Sequence, residues 1–304
     1  MRARATLIGF TAILMWSLLA LFTAASGAVP PFQLSAMCFL VATAIGAVPL
    51  LREPRRLSGL RQPLPVYALG IGGLFGYHFL YFTALKNAPP VDAGLIAYLW
   101  PLFIVVGSAL LPGERLRWHH VAGAVMGLAG TVLIVARAGV TFEAHYAFGY
   151  AIAFLCALTW SSYSLVSRRF GTVPTDAVTA FCLATAVLAL ICHWFIETTV
   201  WPSGATQWLA VLCLGLGPVG GAFYVWDYGV KHGDIQVLGA SSYAAPLLST
   251  IVLVASGYGE ASLRITIACV LISGGAALAA RDMIGRRRRS RMPAGAAGRE
   301  AGAQ

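Results

Sequence analysis

Gly94-Leu-Ile-Ala-Tyr-Leu-Trp-Pro101 is the stretch on which the reading of the fold turns, because the chain carries it twice. The second copy is Gly239-Ala-Ser-Ser-Tyr-Ala-Ala-Pro246, with Gly, Tyr and Pro at unchanged spacing and a constant offset of 145 residues. The same offset takes Gly76 to Gly221 and Lys86 to Lys231. At i, i+4 and i+7, Gly, Tyr and Pro share one face of a helix. Proline has no N–H, so the carbonyl four residues earlier loses its helical partner; here those carbonyls belong to Ala97 and Ser242. In lipid, a freed carbonyl must be satisfied by protein or by a water-filled cavity. Proline-broken apolar helices in corresponding halves point to a transport site, with Gly94, Pro101, Gly239 and Pro246 as its hinges. Two unrelated buried prolines are the plainer alternative, since Pro and Gly are frequent in membrane spans. The shared offset weighs against it.

The composition agrees with a membrane reading. Of 304 residues, 59% are hydrophobic and only 11% charged, and the mean hydropathy is +0.77. A soluble domain carries about a quarter charged residues, so that class is excluded. A net charge of +10 would suggest nucleic acid in a soluble chain. Here the arginines lie in loops and in the run from Arg286, where anchoring to anionic lipid explains them and no nucleic-acid partner is expected. The six cysteines sit in apolar stretches without a Cys-x-x-Cys pair, as small hydrophobic packing residues, so neither disulfides nor a metal site are expected.

Apolar runs of spanning length fall at 6–25, 32–51, 67–85, 93–111, 119–136, 148–167, 176–196, 206–230, 237–256 and 262–280. The first follows a basic start and resembles a signal peptide. Its length, and the recurrence of Trp16-Ser17 as Trp160-Ser161 inside a later span, favour a retained helix. The expectation is an all-α integral membrane protein of ten transmembrane helices in two five-helix repeats, 1–140 and 141–285, followed by a basic disordered tail, 286–304. With the N-terminus in the cytoplasm, 18 Lys and Arg lie on the cytoplasmic side and 3 on the other. The positive-inside rule therefore places both termini in the cytoplasm. Five spans per repeat then invert the second half relative to the first.

Ionisable residues inside spans are costly, about 2.5–3.5 kcal/mol at mid-depth, and therefore informative. His78 lies near the middle of the third span, and Asp227 lies one turn inside the cytoplasmic end of the eighth. His78 is either a hydrogen-bonding group on a cavity or a neutral histidine bonded to a backbone carbonyl. Asp227 either lines a cytoplasmic gate or pairs with Lys231 at i+4. His193 and Glu197 lie near the outer end of the seventh span, within reach of water. No span has a pair of central carboxylates, so the energy source is left open.

Tyr77, Tyr81, Trp160 and Tyr224 lie several residues inside their spans, too deep for a headgroup belt, unlike Trp201, Trp208 and Tyr258. A buried Tyr or Trp wants a partner for its polar end, which a polar, aromatic-lined cavity supplies.

Two runs, Tyr77-His-Phe-Leu-Tyr-Phe-Thr-Ala-Leu-Lys86 and Ala93-Gly-Leu-Ile-Ala-Tyr-Leu-Trp-Pro-Leu102, together with the ten broken spans, resemble the EamA-type branch of the drug/metabolite transporter superfamily. The resemblance covers residues 1 to about 285. It implies a central cavity built by the first, third, fourth, sixth, eighth and ninth helices. Carried over by position, its lining would be Trp16, Tyr77, His78, Tyr81, Tyr98, Trp100, Trp160, Tyr163, Tyr224, Ser242 and Tyr243. The implied function is export of aromatic and other apolar amino acids from a bacterial inner membrane by alternating access, without a cofactor and with a monomer as the default assembly. Export of another amphipathic metabolite or drug is the alternative. An embedded enzyme would need convergent acids, bases or metal ligands, which these short loops lack.

Overall fold

In lipid a backbone can cross only with every N–H and C=O satisfied internally, which an apolar run of this length achieves as helix. The computed structural model describes residues 1–136, 142–255 and 262–282, and among them it is helical without a strand. The first span is α1 (Arg2–Trp16) continued by α2 (Leu19–Ala25), and the second is α3 (Pro31–Arg52). The third joins α4 (Leu64–Ile71) through a wide turn to α5 (Tyr77–Asn87), and the fourth joins α6 (Pro90–Ala97) to α7 (Trp100–Gly107). Single helices follow: α8 (Trp118–Val135), α9 (Ala147–Arg169) and α10 (Ala177–Ile196). The eighth span is α11 (Ala205–Leu216) with α12 (Gly221–His232), the ninth α13 (Ile235–Ser241) with α14 (Ala244–Ala255), and α15 (Leu263–Ala279) comes last. Among the described residues, nine of these runs are long and apolar enough to cross a membrane, and α15 is apolar but shorter. Arg137, Tyr258 and the expected tail lie outside the described residues.

The repeated motif does not form the single kinked helix that its spacing predicts. The helix ends at Ala97 and restarts at Trp100, and it ends at Ser241 and restarts at Ala244. Gly94 and Pro101 therefore lie on different half-helices, as do Gly239 and Pro246. Each proline sits within the first turn of a new half-helix, where its missing N–H is not needed. The Ser242 carbonyl, expected to be free, accepts from the Ala245 N–H at 3.1 Å. Tightening to an i+3 bond satisfies the group locally. Other breaks lie at Ser17–Leu18, at the π-type turn Gly72–Gly76, and at Gly217–Gly220, where glycine and proline supply the unusual backbone.

The spans pair in a particular order. The first packs on the eighth and ninth, the second on the seventh, the third on the sixth, the fourth on the sixth and ninth, and the fifth on the last. Exchanging the two halves leaves that set of pairs unchanged. Small residues allow the close approaches, since lipid gives no hydrophobic drive between helices. Gly9 of α1 meets Gly229 of α12 backbone to backbone, and a Cβ on Gly123 of α8 would run into the Gly275 carbonyl of α15. All six cysteines are free thiols.

Candidate functional site

Four tryptophans meet at the centre of the bundle. Trp16 ends α1, Trp100 opens α7, and Trp160 and Trp226 project from α9 and α12. All six pairs of these rings have centroids 5.0–6.3 Å apart, mostly edge to face, as their quadrupoles favour. The helix breaks put them there. Trp16 stands at the α1–α2 break and donates its Nε1–H to the Pro218 carbonyl in the α11–α12 break, at 3.1 Å. Trp100 is the first residue after the break in the fourth span. Trp226 is fully buried and donates its Nε1–H to the Ser164 hydroxyl at 3.1 Å.

On one side the cluster continues into a partly exposed wall. Tyr77 lies 5.5 Å from Trp160 and stacks on Tyr81 at 6.0 Å. Tyr77, His78, Tyr81, Tyr98 and Trp16 all retain some exposure, whereas Trp160 and Tyr163 are buried. His78 resolves toward its plainer alternative: Nδ1 is 2.7 Å from the Leu74 carbonyl one turn back. Its ring packs against Phe39 and Phe223.

Two expected lining residues lie elsewhere, and a third stands at the edge of the cluster. Tyr224 packs against the central cluster and donates its hydroxyl to the Ala42 carbonyl at 2.9 Å, beside Thr179. Ser242 is fully buried and donates back to the Leu238 carbonyl at 2.8 Å. Tyr243 packs in a separate cluster with Val105, Leu247 and Ile272, its ring against Gly127. Tyr98, its counterpart at the matching break, keeps some exposure, so packing around each break rather than the break itself decides where the tyrosine goes. Conversely, Trp226, Phe223 and Phe39 belong to the central cluster and do not follow from depth and polarity alone. The repeat contained a signal for two of them: the 145-residue offset maps Tyr81 onto Trp226 and His78 onto Phe223.

The opposite end of the cluster, where the chain begins, is closed by charge. The Glu114 carboxylate, in the loop after the fourth span, accepts from Arg2 at 2.8 and 3.1 Å and pairs with Arg168 at the end of α9. Arg168 also donates to the carbonyls of Val230 and Gly233 at 2.7 and 2.9 Å, and Arg2 reaches Asp234 at 3.3 Å. Deeper in, Asp227 and Lys231 form an ion pair at 2.9 Å with side chains only 1% and 3% exposed. The buried Gln236 amide donates to Ser108 at 2.9 Å.

At the other end, Glu197 accepts from the backbone N–H groups of Phe32 and Gln33 at the start of α3, and His193 orients it from 3.0 Å. Asp92, a buried carboxylate in α6, accepts from the Tyr150 hydroxyl at 3.1 Å. His119, His120 and Asp282 bring one ligand atom each within 4.8 Å. The Arg117 guanidinium lies 2.9 Å from the same carboxylate and opposes a metal cation there.

The comparisons with known proteins agree on the family. The model of the EamA-like transporter family matches residues 3–136 and again 147–281. The aromatic amino acid exporter YddG of Ancylobacter novellus is 60% identical over 280 residues, covering 91% of this chain and 97% of its own. YddG of Salmonella typhimurium is 26% identical over 81% of this chain and 86% of its own. A probable terminal-alkyne amino-acid exporter of Streptantibioticus cattleyicolor is 27% identical over 70% of each chain. A solved crystal structure superposes with a TM-score of 0.88 at 58% identity, over 92% of this chain and 98% of its own. With apolar helices of spanning length and a family match over both parts of its length, this chain is a multi-pass membrane protein of the EamA-like transporter family.

Proposed function

We propose that this chain exports aromatic and other apolar amino acids across the bacterial inner membrane by alternating access, from a central site walled by Trp16, Trp100, Trp160, Tyr77 and Tyr81. The observation that carries the reading is the convergence of four tryptophans from the first, fourth, sixth and eighth spans, flanked on one side by the partly exposed Tyr77 and Tyr81 and at one end by ion pairs. Flat rings in contact suit a flat apolar side chain, at about 0.5–1.5 kcal/mol per ring contact beyond burial. The names of the similar exporters point to the same substrate class.

The architecture belongs to the proposal. Ten spans form two inverted halves, 1–140 and 141–285, and the pairing that survives exchange of the halves supports that symmetry. The excess of arginine and lysine puts both termini in the cytoplasm. In that orientation the partly exposed Tyr77–Tyr81 wall faces outward and the charge seal faces the cytoplasm. Asp227 and Lys231 sit at the inner gate, and the breaks before Pro101 and Pro246 are its hinges.

The test is counterflow in liposomes. Purified protein preloaded with unlabelled phenylalanine should accumulate labelled phenylalanine, with alanine competing about 10–100-fold more weakly if two ring contacts discriminate. Repeating the measurement with a proton gradient reports the coupling. Absence of counterflow, or glutamate competing as well as phenylalanine, overturns the reading.

A further inference from the structure

The zwitterionic head of an amino acid needs a cation for its carboxylate and an anion for its ammonium once water is removed. The aromatic wall of the central site offers neither, and His78 is committed to its own helix through Leu74. The one fully buried pair of opposite charges on the inner side of the tryptophans is Asp227 with Lys231, among the described residues. Asp227 directly follows Trp226, and the two charged groups line a small cavity with Gly70, Tyr163, Ser167 and Phe181. Tyr163 in turn lies 5.2 Å from Trp160. The cavity therefore sits one step below the tryptophan cluster.

Burying two charges is expensive, and such a pair is weak evidence for stability, because well-packed apolar residues often serve as well or better. Its partners suggest what it is for. The loop between α9 and α10 closes over the pair: the Val173 carbonyl accepts from Lys231 at 3.1 Å, and the Thr175 hydroxyl donates to Asp227 at 2.8 Å. A carbonyl oxygen on the ammonium and a hydroxyl proton on the carboxylate are stand-ins for a substrate carboxylate and a substrate ammonium. An α-amino acid carries both groups on one carbon, at a close spacing like that of the 2.9 Å pair. It can replace both loop contacts at once, whereas an amine or a carboxylic acid replaces only one.

We infer that Asp227 and Lys231 form an entry subsite for the zwitterionic head of the substrate on the cytoplasmic side, plugged in this closed form by Val173 and Thr175. The inference rests on the exporter reading above and names the charged partners that reading lacks. The other charges near the pair belong to a separate layer: Arg168 holds the carbonyls of Val230 and Gly233, and Asp176 faces Arg56 at 3.5 Å.

The experiment measures transport by oriented proteoliposomes, with phenylalanine presented at the cytoplasmic or the outer face. Phenethylamine and 3-phenylpropionate, each lacking one charge, serve as competitors. Lys231→Met should raise the cytoplasmic-side KM for phenylalanine by about tenfold or more, as loss of a charge-assisted bond implies, and leave the outer-side KM within about twofold. It should also abolish the advantage of phenylalanine over phenethylamine. Thr175→Val removes only the plugging hydroxyl and should lower the cytoplasmic-side KM by about two- to fivefold. Unchanged sidedness in both variants, with wild-type counterflow intact, overturns the subsite alone. If the wild-type protein itself shows no phenylalanine counterflow, the exporter reading fails and the subsite falls with it. Should Lys231→Met fail to insert, Thr175→Val decides: an unchanged or raised cytoplasmic KM sinks the inference.

Discussion

Neutralising Glu114 should open the inner end of the protein. The Glu114 side chain is 6% exposed and holds Arg2 and Arg168, so Glu114→Gln removes a charge from two ion pairs at once. Arg2 is 44% exposed, and its share is discounted to that of a surface pair, about 0–1 kcal/mol. Arg168 is 17% exposed, so its bond stays nearer the value of a charge-assisted hydrogen bond, about 1.5–3 kcal/mol. Glutamine still accepts one bond, and Arg168 keeps the carbonyls of Val230 and Gly233. A net loss of about 1.5–2.5 kcal/mol would shift the balance toward the inward-open form by about 10–70-fold. The assay places a single cysteine at Ser167, buried on α9 in the cavity below the tryptophans, in a background without the six native cysteines. An impermeant thiol reagent applied from the cytoplasmic side should then modify it faster by a comparable factor in Glu114→Gln. An unchanged or lower rate refutes the seal. An equal rise at a cysteine replacing Ala189, buried on α10 against Phe32 and Ala36 and away from the central site, would mean general loosening and refute it too.

Trp160 touches the other three tryptophans as well as Tyr77, Tyr163 and Phe223, so Trp160→Ala should cost about 3–5 kcal/mol of stability and flatten the preference for phenylalanine over alanine. Thermal unfolding in detergent and competition counterflow measure the two effects separately. Gly123→Leu forces a side chain against the Gly275 carbonyl, and overpacking of about 1–3 kcal/mol should lower the melting temperature without moving the KM of the protein that remains folded. Pro101→Ala restores an N–H in the first turn of α7 and allows a continuous helix through Tyr98 and Leu99; flux should fall while insertion is preserved, and wild-type flux at equal expression would show that the break is only packing.

Composition and periodicity alone reveal a chain that must live in lipid as helices, because hydropathy and backbone satisfaction are local properties that each run meets by itself. The internal offset likewise marks the paired broken spans, and it even holds the correspondence of Tyr81 with Trp226. What the sequence could not state is how each break is made. A proline specifies that a helix is interrupted, but the residue at which it stops depends on which local bond, such as Ala245 to Ser242, is made under the packing around it. With that packing, Trp100 stands among the tryptophans while Tyr243 belongs to a separate cluster. Tertiary structure also decided the charges. Arg2, Glu114, Arg168 and Asp234 are far apart in the chain and all fall outside the apolar runs. Only the convergence of three helix ends and a loop makes them a seal, because the energy of an ion pair is set by distance and burial rather than by position in the sequence.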